Sequence, residues 1–187
     1  MVFRIAMSTV AEALLTWDQF LALPDQAGKQ EFDRGRVIVM PPPKYIHTLT
    51  AKRIYDRLVT LLRDSGLIVF SEAGFLIAPG VVRQPDVAVV EEGRLQDAEG
   101  DQYLAGAPVI AIEVASPGNT AEELDLKIDQ YLRGGSQAVW VAYPKRQAIV
   151  RFALVAGRIR SEEFRSGETF SEDIVSPGSV FDPAEFF

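Results

Sequence analysis

The sequence predicts an α/β (α+β) fold: a mixed sheet with helices on at least one side. Three observations predict it. Short Val- and Ile-rich runs bounded by Pro or Gly, such as Val87-Ala88-Val89-Val90 and Val109-Ile110-Ala111-Ile112, read as buried strands. Two longer stretches, Tyr45 to Arg63 and Leu124 to Leu132, instead repeat their apolar residues near helical period. The two kinds of segment are interspersed along the chain with no internal repeat and no linker.

Each element has its own local warrant. Thr16 to Leu23 is a short helix, because Thr16 can cap it with Gln19 three residues on and Pro24 follows. Glu31 to Met40 reads as two short strands turning at Arg34-Gly35, and the prolines at 41–43 end that unit because proline cannot donate to a ladder. Tyr45 to Arg63 is the longest helix, with Ile46, Leu49, Ile54, Leu58, Leu61 and Leu62 as its apolar residues. Leu67–Phe70 and Phe75–Ala78 are strand-like, and a strand around Asp86 follows. Glu91 to Pro108 is polar and reads as a mobile loop. The strand around Glu113 then turns at Ser116-Pro117-Gly118-Asn119. A helix starts at Thr120, which has Glu123 at capping-box spacing, and stops before Gly134-Gly135. Ala138–Tyr143 is a strand, and Ala148–Val155 with Arg158–Phe164 form a hairpin at Ala156-Gly157.

At 187 residues, residues 1–187 fit one domain able to bury a core without staples. The absence of cysteine excludes disulfides, thiolate metal sites and cysteine nucleophiles. With a single histidine and no cysteine, the composition offers no support for a structural zinc site. No apolar run approaches the roughly 18 residues of a membrane span, and the first residues lack a signal peptide's apolar core. A cytoplasmic protein with no membrane partner is expected, and Met7 is an alternative start. The net charge of −7 leaves any nucleic-acid surface local, since duplex binders depend on phosphate contacts. The local candidates are Lys44, Lys52, Arg53, Arg57 and Arg63, then Lys145, Arg146 and Arg151 with Arg158, Arg160 and Arg165 beyond; charge pattern favours solvated helix and hairpin faces for both.

Two residues break the apolar pattern of their strands. Asp86 lies in Gln84-Pro85-Asp86-Val87, and Glu113 in Ile112-Glu113-Val114-Ala115. A buried carboxylate must be paired, protonated or bound to a cation. Two on neighbouring strands make an oxygen-rich pocket suited to Mg²⁺ or Mn²⁺. Alternation puts Val109, Ala111 and Glu113 on one face, where the small Ala111 and Ala115 leave room for an ion. Lys127, three after Leu124 and four before Tyr131, falls on or beside the buried stripe of its helix. It can aim at the two acids, or snorkel to solvent. Tyr131 and Trp140 read as core aromatics.

The order Pro85-Asp86, Ile112-Glu113-Val114-Ala115-Ser116-Pro117, Lys127, Tyr131 and Gly134-Gly135-Ser136-Gln137-Ala138-Val139-Trp140 resembles the Uma-two family, within the PD-(D/E)xK nuclease superfamily. Glu31-Phe32-Asp33-Arg34-Gly35-Arg36 and the prolines before His47 fit the same family. The resemblance covers roughly residues 14 to 185, and residues 1–13, outside it, are expected to be a flexible N-terminus. It implies a restriction-endonuclease-like mixed sheet flanked by helices, with β additions at both ends. It also implies Mg²⁺-dependent hydrolysis of DNA phosphodiesters. By the resemblance Asp86, Glu113 and the carbonyl of Val114 hold the metal, and Lys127 assists hydrolysis. The superfamily's lysine two residues after the acid is absent, since Ala115 stands there. Glu31 is the candidate supporting acid, with Asp33 and Glu72 also available; His47 is a candidate for contact with phosphate or leaving group, and Gln84 for lining the site.

Chemically, a bound ion lowers the pKa of its water and neutralises charge growing on phosphate, and Lys127 orients the water or stabilises the transition state. A homodimer would address both DNA strands. Two other readings stay open: an inactive nucleic-acid or protein binding module on the nuclease fold, and a small-nucleotide phosphohydrolase, which suits the acidic balance.

Overall fold

The computed structural model describes residues 14–24, 29–96 and 103–187. The expected flexible N-terminus and the alternative start at Met7 lie outside the described residues, as does the centre of the Glu91–Pro108 loop.

Turn chemistry and caps divide the chain where the sequence suggests. Helix α1 (Trp17–Leu21) starts at a capping box, in which the Thr16 hydroxyl accepts from Gln19 N and the Gln19 side chain accepts from Thr16 N. Strands β1 (Gln30–Asp33) and β2 (Arg36–Val39) form a two-residue hairpin, with Arg34 and Gly35 at φ of 48° and 95°. Helix α2 (Tyr45–Leu61) follows, then β3 (Leu67–Ser71), β4 (Phe75–Ala78), β5 (Val81–Arg83) and β6 (Val87–Glu91). A 3-10 turn at Glu92–Leu95 and the short β7 (Leu104–Ala105) precede β8 (Ile110–Val114). Helix α3 (Ala121–Arg133) carries its own Thr120–Glu123 capping box. Strands β9 (Ala138–Tyr143), β10 (Ala148–Val155), β11 (Arg158–Arg165), β12 (Phe170–Ser171) and β13 (Val180–Phe181) complete the chain, with a 3-10 turn at Pro183–Glu185.

Among the described residues the strands form two larger sheets and one small pair. The five-stranded sheet has the order β2-β1-β5-β4-β7, and the six-stranded sheet β11-β10-β9-β8-β6-β3. Strands β12 and β13 pair with each other. In the larger sheet β8 and β9 run parallel while the other pairs are antiparallel. The parallel pair requires a crossover, which is α3. This is the expected α+β architecture with β additions at both ends.

Side-chain alternation builds a core on each face of the larger sheet. Val87, Val89, Ile110, Ile112, Trp140 and Ile149 point to one face, where Ile54 and Leu58 of α2 and the C-terminal Phe170, Phe181 and Phe186 cover them. On the other face Ala88, Ala111, Val139 and Val141 meet Leu124, Ile128, Tyr131 and Leu132 of α3, together with Phe75 and Ile77 of the smaller sheet. Each fully buried Ile or Val contributes about 1.5–3 kcal/mol. The end of α3 meets β4 so closely that a Cβ on Gly134 would lie 2.2 Å from Ile77 Cγ2. A third cluster, Phe20, Phe32 and Val82 with Trp17, fixes α1 to the smaller sheet.

Three expectations need correction. Asp86 does not lie within its strand: β6 begins at Val87, and Val81–Arg83 is a separate strand of the other sheet. Val109 precedes β8 and packs with the α2-side core, so only Ala111 and Glu113 share the α3 face. The polar Glu91–Pro108 segment is not all loop, since it holds a 3-10 turn and β7.

Candidate active site

The chain crosses from the smaller sheet to the larger one through Gln84-Pro85-Asp86, three residues between β5 and β6. That short crossing puts a carboxylate at the sheet junction. Helix periodicity supplies the second component, because positions 124, 127, 128 and 131 share one face. Leu124 and Ile128 anchor that face in the core, so Lys127 and Tyr131 are carried in with them. Strand alternation supplies the third, by turning Glu113 to the α3 side.

These groups meet in a buried network. Lys127 Nζ donates to Glu31 Oε1 at 2.8 Å and to Glu113 Oε1 at 3.2 Å. Tyr131 Oη donates to the same Glu113 oxygen at 2.8 Å. Glu31, fully buried, also accepts from Gln84 N at 3.1 Å and from Arg83 Nη1 at 3.0 Å. Arg83, 1% exposed, donates further to Asp33 Oδ2 at 2.8 Å and to Gln130 Oε1 at 2.6 Å. Lys127 is therefore turned inward and does not snorkel.

Asp86 forms the adjoining part. Its Oδ2 accepts from Val114 N at 2.7 Å and lies 3.2 Å from His47 Nε2. Lys29 covers Oδ1 and also reaches the Gln84 carbonyl at 3.4 Å. His47 Nδ1 and the Thr50 hydroxyl, one helical turn apart on α2, are buried without a hydrogen-bond partner among the described residues.

Charge environment separates the two acids. Burial pushes Asp86 up, but the His47 hydrogen bond and the charges of Lys29 and His47 outweigh it and hold the carboxyl at about 2. Burial raises Glu113, Lys127 opposes, and Asp86 and Glu31 push it higher, so it lies above its ordinary range. Burial works against the charge on Lys127, but Glu113 and Glu31 more than offset it and hold the ammonium above the usual lysine range. Tyr131 is raised well above its ordinary value, first by burial and then by Glu113 and Glu31.

The predicted residues Asp86, Glu113, Lys127, Glu31, His47 and Val114 all come to this junction. Gln84 comes only through its backbone, because its side chain donates to the Glu72 carbonyl. Tyr131 is in the core as expected, yet its hydroxyl joins the network. Sequence reasoning missed Lys29 and Arg83. A cation beside each buried acid was the available signal, and Arg83 sits in a Val-rich run just before Pro85-Asp86.

The chemistry of the donors suits a hard divalent cation. Among the described residues no three His, Cys, Asp or Glu side chains form a metal-binding group. Mg²⁺ needs fewer, since it binds through one or two carboxylates and keeps several waters. Lys127 and Tyr131 both donate to Oε1 of Glu113, which leaves neither of them on Oε2. Glu31 is occupied on both oxygens, which makes it a holder of Lys127 and Arg83.

A family model described as "putative restriction endonuclease", Uma2 (Uma-two), matches residues 17–183. The chain belongs to this Uma2 family. The crystal structure of a "putative nuclease" from Anabaena variabilis ATCC 29413 is similar to it, with a TM-score of 0.78 at 20% identity, covering 92% of this chain and 97% of that chain. At that identity the likeness establishes the shared fold. None of the curated proteins matches the chain.

Among the described residues, five of the eleven basic residues noted in the sequence are paired with an acid, Arg165 with Glu163 at 3.0 Å among them. Lys52 meets Asp56 at 2.6 Å, Arg57 meets Glu185 at 2.9 Å, Arg146 meets Glu163 at 3.3 Å and Arg151 meets Glu172 at 2.7 Å. Among the described residues no helix is long and apolar enough to cross a membrane.

Proposed function

We propose that this Uma2 protein is a Mg²⁺-dependent endonuclease that hydrolyses DNA phosphodiesters at the junction of its two sheets, with Mn²⁺ as a substitute ion. The observation that carries this reading is the buried contact of Lys127 with Glu31 and Glu113, next to Asp86. Assembling so many ionised groups in a core costs desolvation that apolar residues would avoid, and perturbed acids gathered at one place mark functional sites.

Asp86, Glu113 and the Val114 carbonyl would hold the ion. When bound, it supplies an acidified water and neutralises charge on the phosphate. Lys127, held charged by its two carboxylates, has no free pair of electrons with which to take a proton. Its part is electrostatic: it stabilises negative charge developing on the phosphoryl oxygens. Glu31 positions Lys127, and Tyr131 fixes Glu113 by holding Oε1. On this reading Lys127 of α3 stands in for the superfamily's lysine, whose usual position is Ala115 here.

Calorimetric titration of Mg²⁺ or Mn²⁺ into wild type and Asp86→Ala, with nicking of supercoiled DNA alongside, tests the proposal. Binding and nicking lost together in Asp86→Ala support it. Metal binding with intact DNA redirects the substrate towards small nucleotides, and no metal binding by wild type removes the enzymatic reading. The protein is expected to work in the cytoplasm, singly or as a homodimer.

A further inference from the structure

The two oxygens of Asp86 have different partners. Oδ2 is held from within the larger sheet by Val114 N and from α2 by His47. Oδ1 is held by Lys29, from the residue that precedes β1 of the smaller sheet. Oδ1 is thus the oxygen that an incoming cation can reach by displacing a flexible side chain rather than backbone. The Lys29 side chain is 12% exposed and its second contact, to the Gln84 carbonyl, is long at 3.4 Å. Lys127 is held differently, by two carboxylates at once. The two lysines therefore differ in how readily each can leave.

We propose that Lys29 is an internal counter-cation of the site, which holds Asp86 Oδ1 in the metal-free protein and is displaced when a divalent cation takes that oxygen. The inference rests on the metal-dependent reading above and assigns a role to a residue that reading does not use. Without Lys29, a carboxylate that is 5% exposed would stand beside Glu113 with only His47 and a backbone N–H for support. With it, the four carboxylates Asp86, Asp33, Glu31 and Glu113 face three cations, Lys29, Arg83 and Lys127, so with every acid ionised the empty site is short of one positive charge rather than two. A divalent ion brings more charge than the ammonium it replaces. The freed lysine, on a flexible four-carbon stem, then lies beside the ion, where an anionic substrate arrives.

The test is Mn²⁺ affinity, read by calorimetry on the folded, full-length chain, for wild type, Lys29→Met and Lys29→Arg. Lys29→Met removes the competitor and keeps the stem, so it is expected to bind Mn²⁺ about tenfold more tightly than wild type, a change of about 1.4 kcal/mol. Lys29→Arg keeps a cation on Asp86 and is expected to bind no more tightly than wild type. Thermal unfolding of each variant shows whether the fold is retained; if Lys29→Met does not fold, Lys29→Gln replaces it in the same titration with the same expected gain. Equal or weaker affinity in the neutral variant overturns the exchange and leaves the metal-dependent reading intact. If wild type and variants all fail to bind Mn²⁺, both fall together.

Discussion

Lys127 and Glu31 meet at 2.8 Å although 96 positions separate them in the chain. The contact joins α3, which packs on the larger sheet, to β1 of the smaller one. Glu31 is fully buried and also holds Arg83 and the Gln84 N–H. Replacing it by Ala strands these donors, and breaking a buried ion pair from one side costs about 3–5 kcal/mol. Denaturant unfolding of Glu31→Ala is expected to show a loss of that size.

Glu113→Gln should behave otherwise. The amide oxygen still accepts from Lys127 and Tyr131, and Lys127 keeps Glu31 as its counter-charge. Removing a carboxylate whose ionisation burial already opposes costs little, so stability is expected to stay within about 1 kcal/mol. Metal binding and nicking are expected to disappear. A stability loss as large as that of Glu31→Ala would mark Glu113 as a structural partner instead.

Acid titration should report Asp86. Its carboxyl falls from 3.8 to about 2 in the folded chain, so the unfolded state binds the proton more readily. The resulting stabilisation is complete above pH 3.8 and is lost as pH falls towards about 2. Asp86→Asn is expected to flatten that part of the stability–pH curve, measured by thermal melts at constant ionic strength. Glu113 acts with the opposite sign: its raised pKa favours the protonated folded form, and stability declines as pH rises above 4.5 through the folded value.

A control lies on the other face of the larger sheet. Glu172, 1% exposed, accepts from Trp140 Nε1 at 3.0 Å and from Arg151 Nε at 2.7 Å. Glu172→Ala leaves the buried Trp140 N–H unsatisfied and unpairs the half-buried Arg151, and is expected to cost about 1–3 kcal/mol. Mn²⁺ affinity should be unchanged, because none of these three groups touches the junction.

Much of this was legible in the sequence because local rules and long-range packing agree. The Thr16–Gln19 and Thr120–Glu123 spacings mark helix starts, and each forms the box it suggests. The position of Lys127 on its helical stripe places the side chain on the buried face. What periodicity does not carry is partner choice. Lys29 reads as one more polar residue before a strand, and nothing local says that it reaches a carboxylate 57 positions away. Val81–Arg83 and Val87–Glu91 look like one apolar run with a proline in it, and only the pairing partners assign them to different sheets. The hydroxyl of Tyr131 escaped notice for a similar reason, since an aromatic on an apolar stripe already has an explanation.

The crossing at Gln84-Pro85-Asp86 has a consequence for assembly. Glu31 and Arg83 belong to one sheet, Glu113 to the other, and Lys127 to the helix between them. No single hairpin or helix–strand unit contains all of these groups. A partly folded chain with either sheet formed alone would have only fragments of the constellation. Any chemistry of this junction would then appear only in the last step of folding, confined to finished molecules.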